Sequence, residues 1–300
     1  MSSSLQVMAD LVQRVPRLLT YSPTSHVVIL GTNGDKLAMT SAYEPRDAAL
    51  SAEGADRVTQ AAQRHQVTGL IVLTFGLDQL TDARAVRDIR QQAQARQLIV
   101  RETARVAHGR MWVGRERGAG HPVPDGPQAD AATVTREQLA ASWTPTGTLT
   151  PDLDVQPREG ARVWARLLAG DTLTEAEQRQ ALGAVASILG RDSVLAAFGM
   201  FESPAEWPEE LAETAATVRA VLQGVRLSGP LEHLRTLVTA CDPQHAAQVC
   251  AVAAVLAWTG GNGAIAYICA ERANQAQPGH RLAELVARAT QVGIAPPWTP

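Results

Sequence analysis

The sequence predicts an α/β domain, built from a mixed β-sheet with flanking helices, followed by an all-helical domain. Up to about residue 115, short apolar runs typical of strands alternate with segments of helical periodicity. Residues 116–157 are rich in proline and glycine and contain the pattern of one short helix, which predicts a connector. From residue 158 to 300 every apolar pattern has helical spacing. We therefore expect three parts, with boundaries at residues 1–115, 116–157 and 158–300.

The first domain is expected to begin with a short amphipathic helix and a β-hairpin. Apolar residues recur at helical spacing from Met8 to Val15, and Pro16 should kink or end that helix. Strand-like runs at 26–31 and 36–43 flank Asn33-Gly34, a dipeptide typical of a type I′ hairpin turn. The first two strands are therefore predicted to be antiparallel neighbours.

The rest of the first domain should complete a mixed sheet. Helices are expected over about 52–65 and 82–96, on either side of a buried strand at 69–75. Strands at 98–106 and 110–113 should pair across the turn His108-Gly109. The resulting order, β-β-α-β-α-β-β, predicts a mixed sheet with helices packed against it.

Helix start signals mark the connector and the second domain. Capping boxes at Thr135–Gln138 and Thr174–Glu177 predict two helix starts, the second followed by an apolar face at 182, 185, 186 and 189. Pro208 is expected to open another helix. A helix should start at Asp242-Pro243 and run to 258, its partner should end near 277, and a last helix should stop at Gly293 and the prolines that follow.

Composition and charge argue against several classes of partner. The net charge of −3 provides no electrostatic footprint for nucleic acid or for an anionic membrane. The longest apolar run, Val249–Trp258, is about half of what a membrane span requires. Three cysteines lie within apolar helical patterns, and the first residues lack a basic signal-peptide region. We expect a cytoplasmic protein that binds neither nucleic acid nor membranes.

Familiar catalytic and cofactor motifs are not found. Gly31-x-x-Gly34 follows a strand but precedes another strand, whereas dinucleotide binding needs a helix there. His245 and Cys250 lie five residues apart on a predicted helix, so their side chains point about 140° apart and cannot share one metal ion. We therefore predict no metal and no cofactor, and the sequence identifies no catalytic residue.

The segment 108–121 carries the best candidates for ligand binding. Arg110, Trp112 and His121 lie at a strand-to-loop exit among glycines that would let the backbone approach a phosphate. The alternative is a solvated loop with Trp112 packed under it. Asp82 follows the strand that ends at Phe75, where α/β sheets favour ligands, but it is interpreted as a helix cap.

Two separate stretches carry a family resemblance. The opening, from Met8 through the run 21–31, and the closing segment, from Leu256 to Trp298, resemble the ends of the actinobacterial family called domain of unknown function 4192. No activity, cofactor or catalytic residue is established for that family, so the resemblance implies no site. The closing segment also resembles one tetratricopeptide unit, because Ala266, Ala273 and Pro278 have its spacing.

Two hypotheses for function follow. The first is a non-catalytic protein that binds another protein through its C-terminal helices, as the repeat-like hairpin indicates. The second is a small-ligand or phosphate-binding α/β enzyme with a pocket near 108–121, in which Arg110 would contact an anion and His121 would transfer a proton. Whether the protein is an enzyme stays open at this point.

Overall fold

A computed structural model describes residues 3–34, 36–114, 116, 118–123, 134–197, 231–291 and 294. The described residues divide into two compact units. The first runs to Leu139 and includes Gln291 and Ile294, and the second runs from Ala140 to Thr290. The predicted fold class is confirmed, since the first unit contains a mixed sheet with helices and the second is helical.

The first unit is built on a six-stranded sheet of order β2-β1-β3-β4-β5-β6. Its strands are β1 (His26–Asn33), β2 (Lys36–Tyr43), β3 (Gly69–Phe75), β4 (Ile99–Ala107), β5 (Arg110–Val113) and β6 (His121–Pro122). The pair β3–β4 is parallel because a helix connects the two strands, and every other neighbouring pair is antiparallel. The sheet is therefore mixed, as predicted.

Three helices cover the two faces of this sheet. They are α1 (Ser3–Leu19), α2 (Ala48–Arg64) and α3 (Gln79–Ala95). One apolar cluster joins α2 and α3 to alternate residues of the strands, including Ile29, Leu70 and Val72. Val28 and Leu30 point away from that cluster and are also fully buried. Helix α1, whose buried stripe is not part of the cluster, contacts β2 and β5 on this opposite face.

Three sequence predictions in this unit are wrong in detail. Pro16 was expected to kink or end α1, and the second alternative is wrong. The helix continues to Leu19, since burial of Val15 and Leu19 compensates for the lost backbone hydrogen bond. The first hairpin turn is not centred on Asn33-Gly34. Asn33 still pairs with Lys36, so the turn begins at Gly34. The φ of Gly34 is +63°, a backbone conformation that glycine tolerates.

The third error concerns the start of α3. Its N-cap is Asp78, which accepts hydrogen bonds from the backbone N–H groups of Leu80 and Thr81. Asp82, the predicted cap, lies one turn inside the helix. The later turn is as predicted: His108 and Gly109 have φ of +51° and +69° and join β4 to β5. Strand β6 had no sequence prediction.

The second unit is helical, and the boundary between the units falls within α4. Its helices are α4 (Arg136–Ser142), α5 (Pro157–Ala169), α6 (Glu175–Ala184), α7 (Ile188–Ala197), α8 (Leu231–Ala240), α9 (Ala246–Thr259), α10 (Gly263–Ala276) and α11 (Arg281–Gln291). Helix α9 is apolar all round, and Gln248 is the one residue between Ala246 and Ala257 that is not buried. It packs against α10 as a hairpin at the centre of the unit.

Among the described residues, the helix signals from Thr135 onward are confirmed with one exception. Both capping boxes form, and Asp242 accepts a hydrogen bond from the backbone N–H of Gln244. The predicted face from 182 to 189 does not belong to one helix, because α6 ends at Ala184 and Leu189 lies in α7 with its side chain exposed. The predicted start at Pro208 and the stops after residue 291 lie outside the described residues. Of the helices that the structure describes, none has the length and apolar character to cross a membrane.

Candidate ligand-binding groove

A groove of ≈ 520 Å³ lies in the first unit between α3 and the β4–β5 hairpin. One wall is the exposed side of α3, from Asp82 to Gln94, and the floor comes from β4 and β5. The groove lies where α3 packs beside β4, and a residue of β5, Trp112, continues its floor.

A row of paired residues sets the floor. Thr74 in β3 is paired with Arg105 in β4, which is paired with Trp112 in β5. Paired residues of neighbouring strands point to the same face of a sheet, and Val72, two residues before Thr74, lies in the cluster under α2 and α3. The side chains of Arg105 and Trp112 therefore both face the groove.

Arg105 and Trp112 form a cation–π contact at the centre of the floor. The guanidinium carbon of Arg105 lies 4.0 Å from the centroid of the Trp112 ring. Both side chains are half-buried. Such a contact contributes about 0.5–2 kcal/mol, depending on how completely water is excluded from it. A ligand ring of similar shape could therefore compete with the guanidinium for the face of the indole.

The loop after β5 holds Trp112 in place. The indole Nε1–H donates to the carbonyl of Gly118 at 2.9 Å. Gly120 lies against the ring so closely that an added Cβ would come within 2.5 Å of it, and its φ is +67°. Only glycine fits both requirements, and the indole therefore has a defined position.

Of the three predicted ligand-binding residues, the structure places one in the groove. Trp112 lines it, whereas Arg110 and His121 do not. The Arg110 guanidinium donates to the carbonyls of Ala119 and Gly120, the latter at 2.8 Å. The His121 ring contacts a Glu116 carboxylate oxygen at 3.2 Å. In this arrangement Arg110 and His121 shape the loop that supports Trp112.

Asp82 provides a half-buried carboxyl at one end of the groove. It accepts a hydrogen bond from the Thr74 hydroxyl. Burial raises the pKa of Asp82, against the hydrogen bond from Thr74 and the charge of Arg105, which both lower it. The carboxyl is thus more readily protonated than an exposed aspartate.

The groove has more positive than negative groups. Arg87 and Arg90 extend from α3, one turn apart, and Arg105 lies on the floor. Arg87 also contacts Asp88 at 3.4 Å but is largely exposed. The carboxyls are Asp82 and Glu116, and the first of these has the raised pKa. The groove can therefore accept an anion beside an aromatic ring.

The cysteines of the second unit do not form a comparable site. Cys241, Cys250 and Cys269 are buried, and burial raises the pKa of each thiol, to about 12 for Cys241. Thiols in that state are poor nucleophiles and poor metal ligands. In the ranges that the structure covers, no three His, Cys, Asp or Glu side chains are placed to hold a metal ion.

Sequence reasoning missed Arg105, Arg87 and Arg90 and misassigned Asp82. A signal for Arg105 was available, because it interrupts the apolar end of β4 directly opposite Trp112 in the predicted hairpin. No comparable signal marks the arginines of α3, since exposed arginines are ordinary on a helix surface.

Comparison with known proteins supports the family resemblance. The model of the family described as Domain of unknown function (DUF4192) matches residues 9–297. Neither the curated proteins nor the solved structures contain a match to the chain.

Proposed function

We propose that this chain, which belongs to the family Domain of unknown function (DUF4192), binds a small anionic molecule that carries a flat ring. The site is the groove between α3 and the β4–β5 hairpin. The observation that carries the proposal is the contact of Arg105 with the fixed indole of Trp112 on an open groove floor. The proposal concerns binding, and no catalytic role is assigned to any residue.

Each part of the ligand has a complementary part of the groove. A flat ring would stack on the face of Trp112 in place of, or beside, the Arg105 guanidinium. A phosphate or carboxylate would contact Arg90 and Arg87, which project one turn apart from the same wall. The Asp82 carboxyl, which accepts a hydrogen bond from Thr74 at one end of the groove, could accept another from the ligand ring or, when protonated, donate one.

Titration calorimetry with nucleoside monophosphates, pyridine carboxylates and inorganic phosphate tests this proposal. Replacing Trp112 by Leu, or Arg87 and Arg90 together by Gln, should weaken binding at least tenfold, or by about 1.4 kcal/mol. Arg84→Gln is the matched control, since Arg84 lies on α3 but outside the groove lining. Inorganic phosphate should bind more weakly than the ring-bearing anions.

Two results would contradict the proposal. One is that no compound of the panel binds saturably to the native chain. The other is that the Trp112→Leu chain binds the ring-bearing anions as tightly as the native chain does.

A second candidate function is protein binding through the C-terminal helices. It is favoured by large apolar side chains that are exposed on α7 and α11, namely Ile188, Leu189 and Leu285. A partner that purifies with the native chain should be lost when Leu285 and Ile188 are both replaced by Ser. An unchanged yield of that partner would contradict this function. The resemblance to a tetratricopeptide unit stays a prediction.

We also infer a cytoplasmic location. Support comes from the three cysteines, all free and buried, as expected for a reducing compartment. Fractionation of cells that produce the tagged chain would test this, and recovery outside the cytosol would contradict it.

A further inference from the structure

We propose that a second groove, in the helical unit, docks an acidic amphipathic segment of another protein. The inference rests on the second candidate function, protein binding through the C-terminal helices, and names the chemistry of the partner. The groove measures ≈ 480 Å³ and lies between α7 and α11, with Gln248 of α9 in its lining.

Each wall of this groove contains an aliphatic residue and an arginine one turn apart. On α7 the pair is Ile188 and Arg191, and on α11 it is Leu285 and Arg281. Residues three or four apart lie on the same face of a helix, so Arg281 and Leu285 are exposed side by side on α11. On α7 the Arg191 side chain lies lower, with 11% of it exposed beneath Ile188. The aliphatic groups face solvent, with 62% of Ile188 and 55% of Leu285 exposed.

A polar network orients one of the two guanidiniums. Arg191 Nη1 donates to Gln248 Oε1 at 3.3 Å, and Nη2 lies 2.6 Å from the Asp192 carboxylate. Gln248 is the polar residue that interrupts the apolar helix α9. Its side chain holds the Arg191 head at the groove instead of leaving it free in solvent.

His280 completes the network as a neutral donor. Its Nδ1 accepts the backbone N–H of Ala283 at 3.3 Å, and its Nε2 lies 3.1 Å from Gln248 Oε1. Since Gln248 Oε1 is an acceptor, the proton belongs on Nε2 and the ring is neutral. Burial and the charge of Arg191 lower the pKa of His280, which agrees with this assignment.

The charge of the lining determines the sign of the charge that the partner should carry. With His280 neutral, the Arg191 guanidinium is balanced by the Asp192 carboxylate, and the Arg281 guanidinium gives the lining its net positive charge. Glu284 also belongs to α11 but is not part of the lining. The groove therefore complements a segment that places carboxylates and aliphatic side chains one helical turn apart, which is the pattern of an acidic amphipathic helix.

The test uses the full chain and two labelled synthetic peptides of equal length. One has Glu and Leu at positions four apart, and in the other every Glu is replaced by Lys. Fluorescence anisotropy should show at least tenfold tighter binding of the Glu peptide. Binding of the Glu peptide should weaken at least tenfold in Leu285→Ser and in Arg281→Glu, and Arg281→Glu should bind the Lys peptide better than the native chain does.

The control variant is Leu153→Ser, which removes an even more exposed leucine of the same unit from outside the groove. It should bind the Glu peptide as the native chain does. All three positions are exposed, so the variants should keep the native unfolding temperature.

Three outcomes would overturn the inference. Equal binding of the two peptides, with loss in Leu285→Ser, would leave protein docking in place but remove the acidic partner. Absence of binding by either peptide would show that the groove is closed to such segments. Equal loss in Leu153→Ser would show that the contact is a general apolar one.

Discussion

Two aspartates of the first unit lie four residues apart and titrate in opposite directions. Asp78 caps α3, and hydrogen bonds from the backbone and hydroxyl of Thr81 lower its pKa. Asp82 is one turn further into the helix and half-buried, and burial raises its pKa. Position relative to the helix terminus and to the sheet therefore decides the behaviour of chemically identical groups.

The opposite shifts predict opposite effects of pH on stability. The contribution of Asp82 to the stability of the folded protein is present below its ordinary pKa of 3.8 and is lost as the pH rises through its folded-state pKa. The contribution of Asp78 is present above 3.8 and is lost as the pH falls. Urea unfolding from pH 3 to 7 should thus show Asp82→Asn gaining stability relative to the native chain as the pH rises. Asp78→Asn should lose stability relative to the native chain over the same range. If the unfolding free energies of both variants run parallel to that of the native chain across this range, both pKa assignments are contradicted.

Among the helices, α1 tolerates an interior proline because its apolar stripe is anchored on both sides of it. Val12 and Val15 precede Pro16 and Leu19 follows, and all three are buried. The proline lacks an N–H for the helix and its ring crowds the preceding turn, at a cost of about 3 kcal/mol in an ideal helix. Burial of the stripe is thus sufficient to keep the last turn helical.

Pro16→Ala should therefore stabilise the protein. We expect the free energy of unfolding to rise by about 1–3 kcal/mol, since alanine restores the backbone donor and removes the clash. Urea unfolding would measure this. Pro243→Ala is the control, because Pro243 occupies a first helical position where proline fits, and it should give no gain. Unchanged or lower stability of Pro16→Ala would show that α1 is adapted to the proline.

At the scale of the whole molecule, each unit contains one buried histidine whose pKa is lowered. In the first unit burial lowers the pKa of His26, opposed by Glu44, whose carboxylate lies 3.5 Å away. In the second unit burial also lowers the pKa of His280. Both rings are thus held neutral in the folded protein at pH values where an exposed histidine begins to be protonated.

Mild acid should consequently destabilise both units. A group with a lowered folded-state pKa binds its proton more readily when unfolded, so stability falls as the pH drops below the ordinary value of 6.5. Each histidine can contribute at most about 1.4 kcal/mol per pH unit. His26→Gln and His280→Asn should flatten the dependence of the unfolding free energy on pH between 7 and 5. Variants that keep the slope of the native chain would contradict the assignment.

Local patterns in the sequence were sufficient for the elements and their order. Strands β1 to β5, helices α2 and α3, and both capping boxes follow from periodicity, turn residues and caps, which act over a few residues. Periodicity also identified Trp112 as a residue at the end of a strand. Boundaries moved by a few residues where packing outweighed a local preference, as at Pro16.

Tertiary structure decided how the residues of the two grooves come together. The Arg105–Trp112 contact depends on strand register, and the groove depends on where α3 packs beside β4. The network of Arg191, Gln248 and His280 joins α7, α9 and the residue before α11, which are far apart in the chain. Helical and strand periods report which side of an element is apolar, but the position of one element on another depends on packing among distant side chains. The sequence by itself therefore determined the fold class and the elements, and packing determined both grooves.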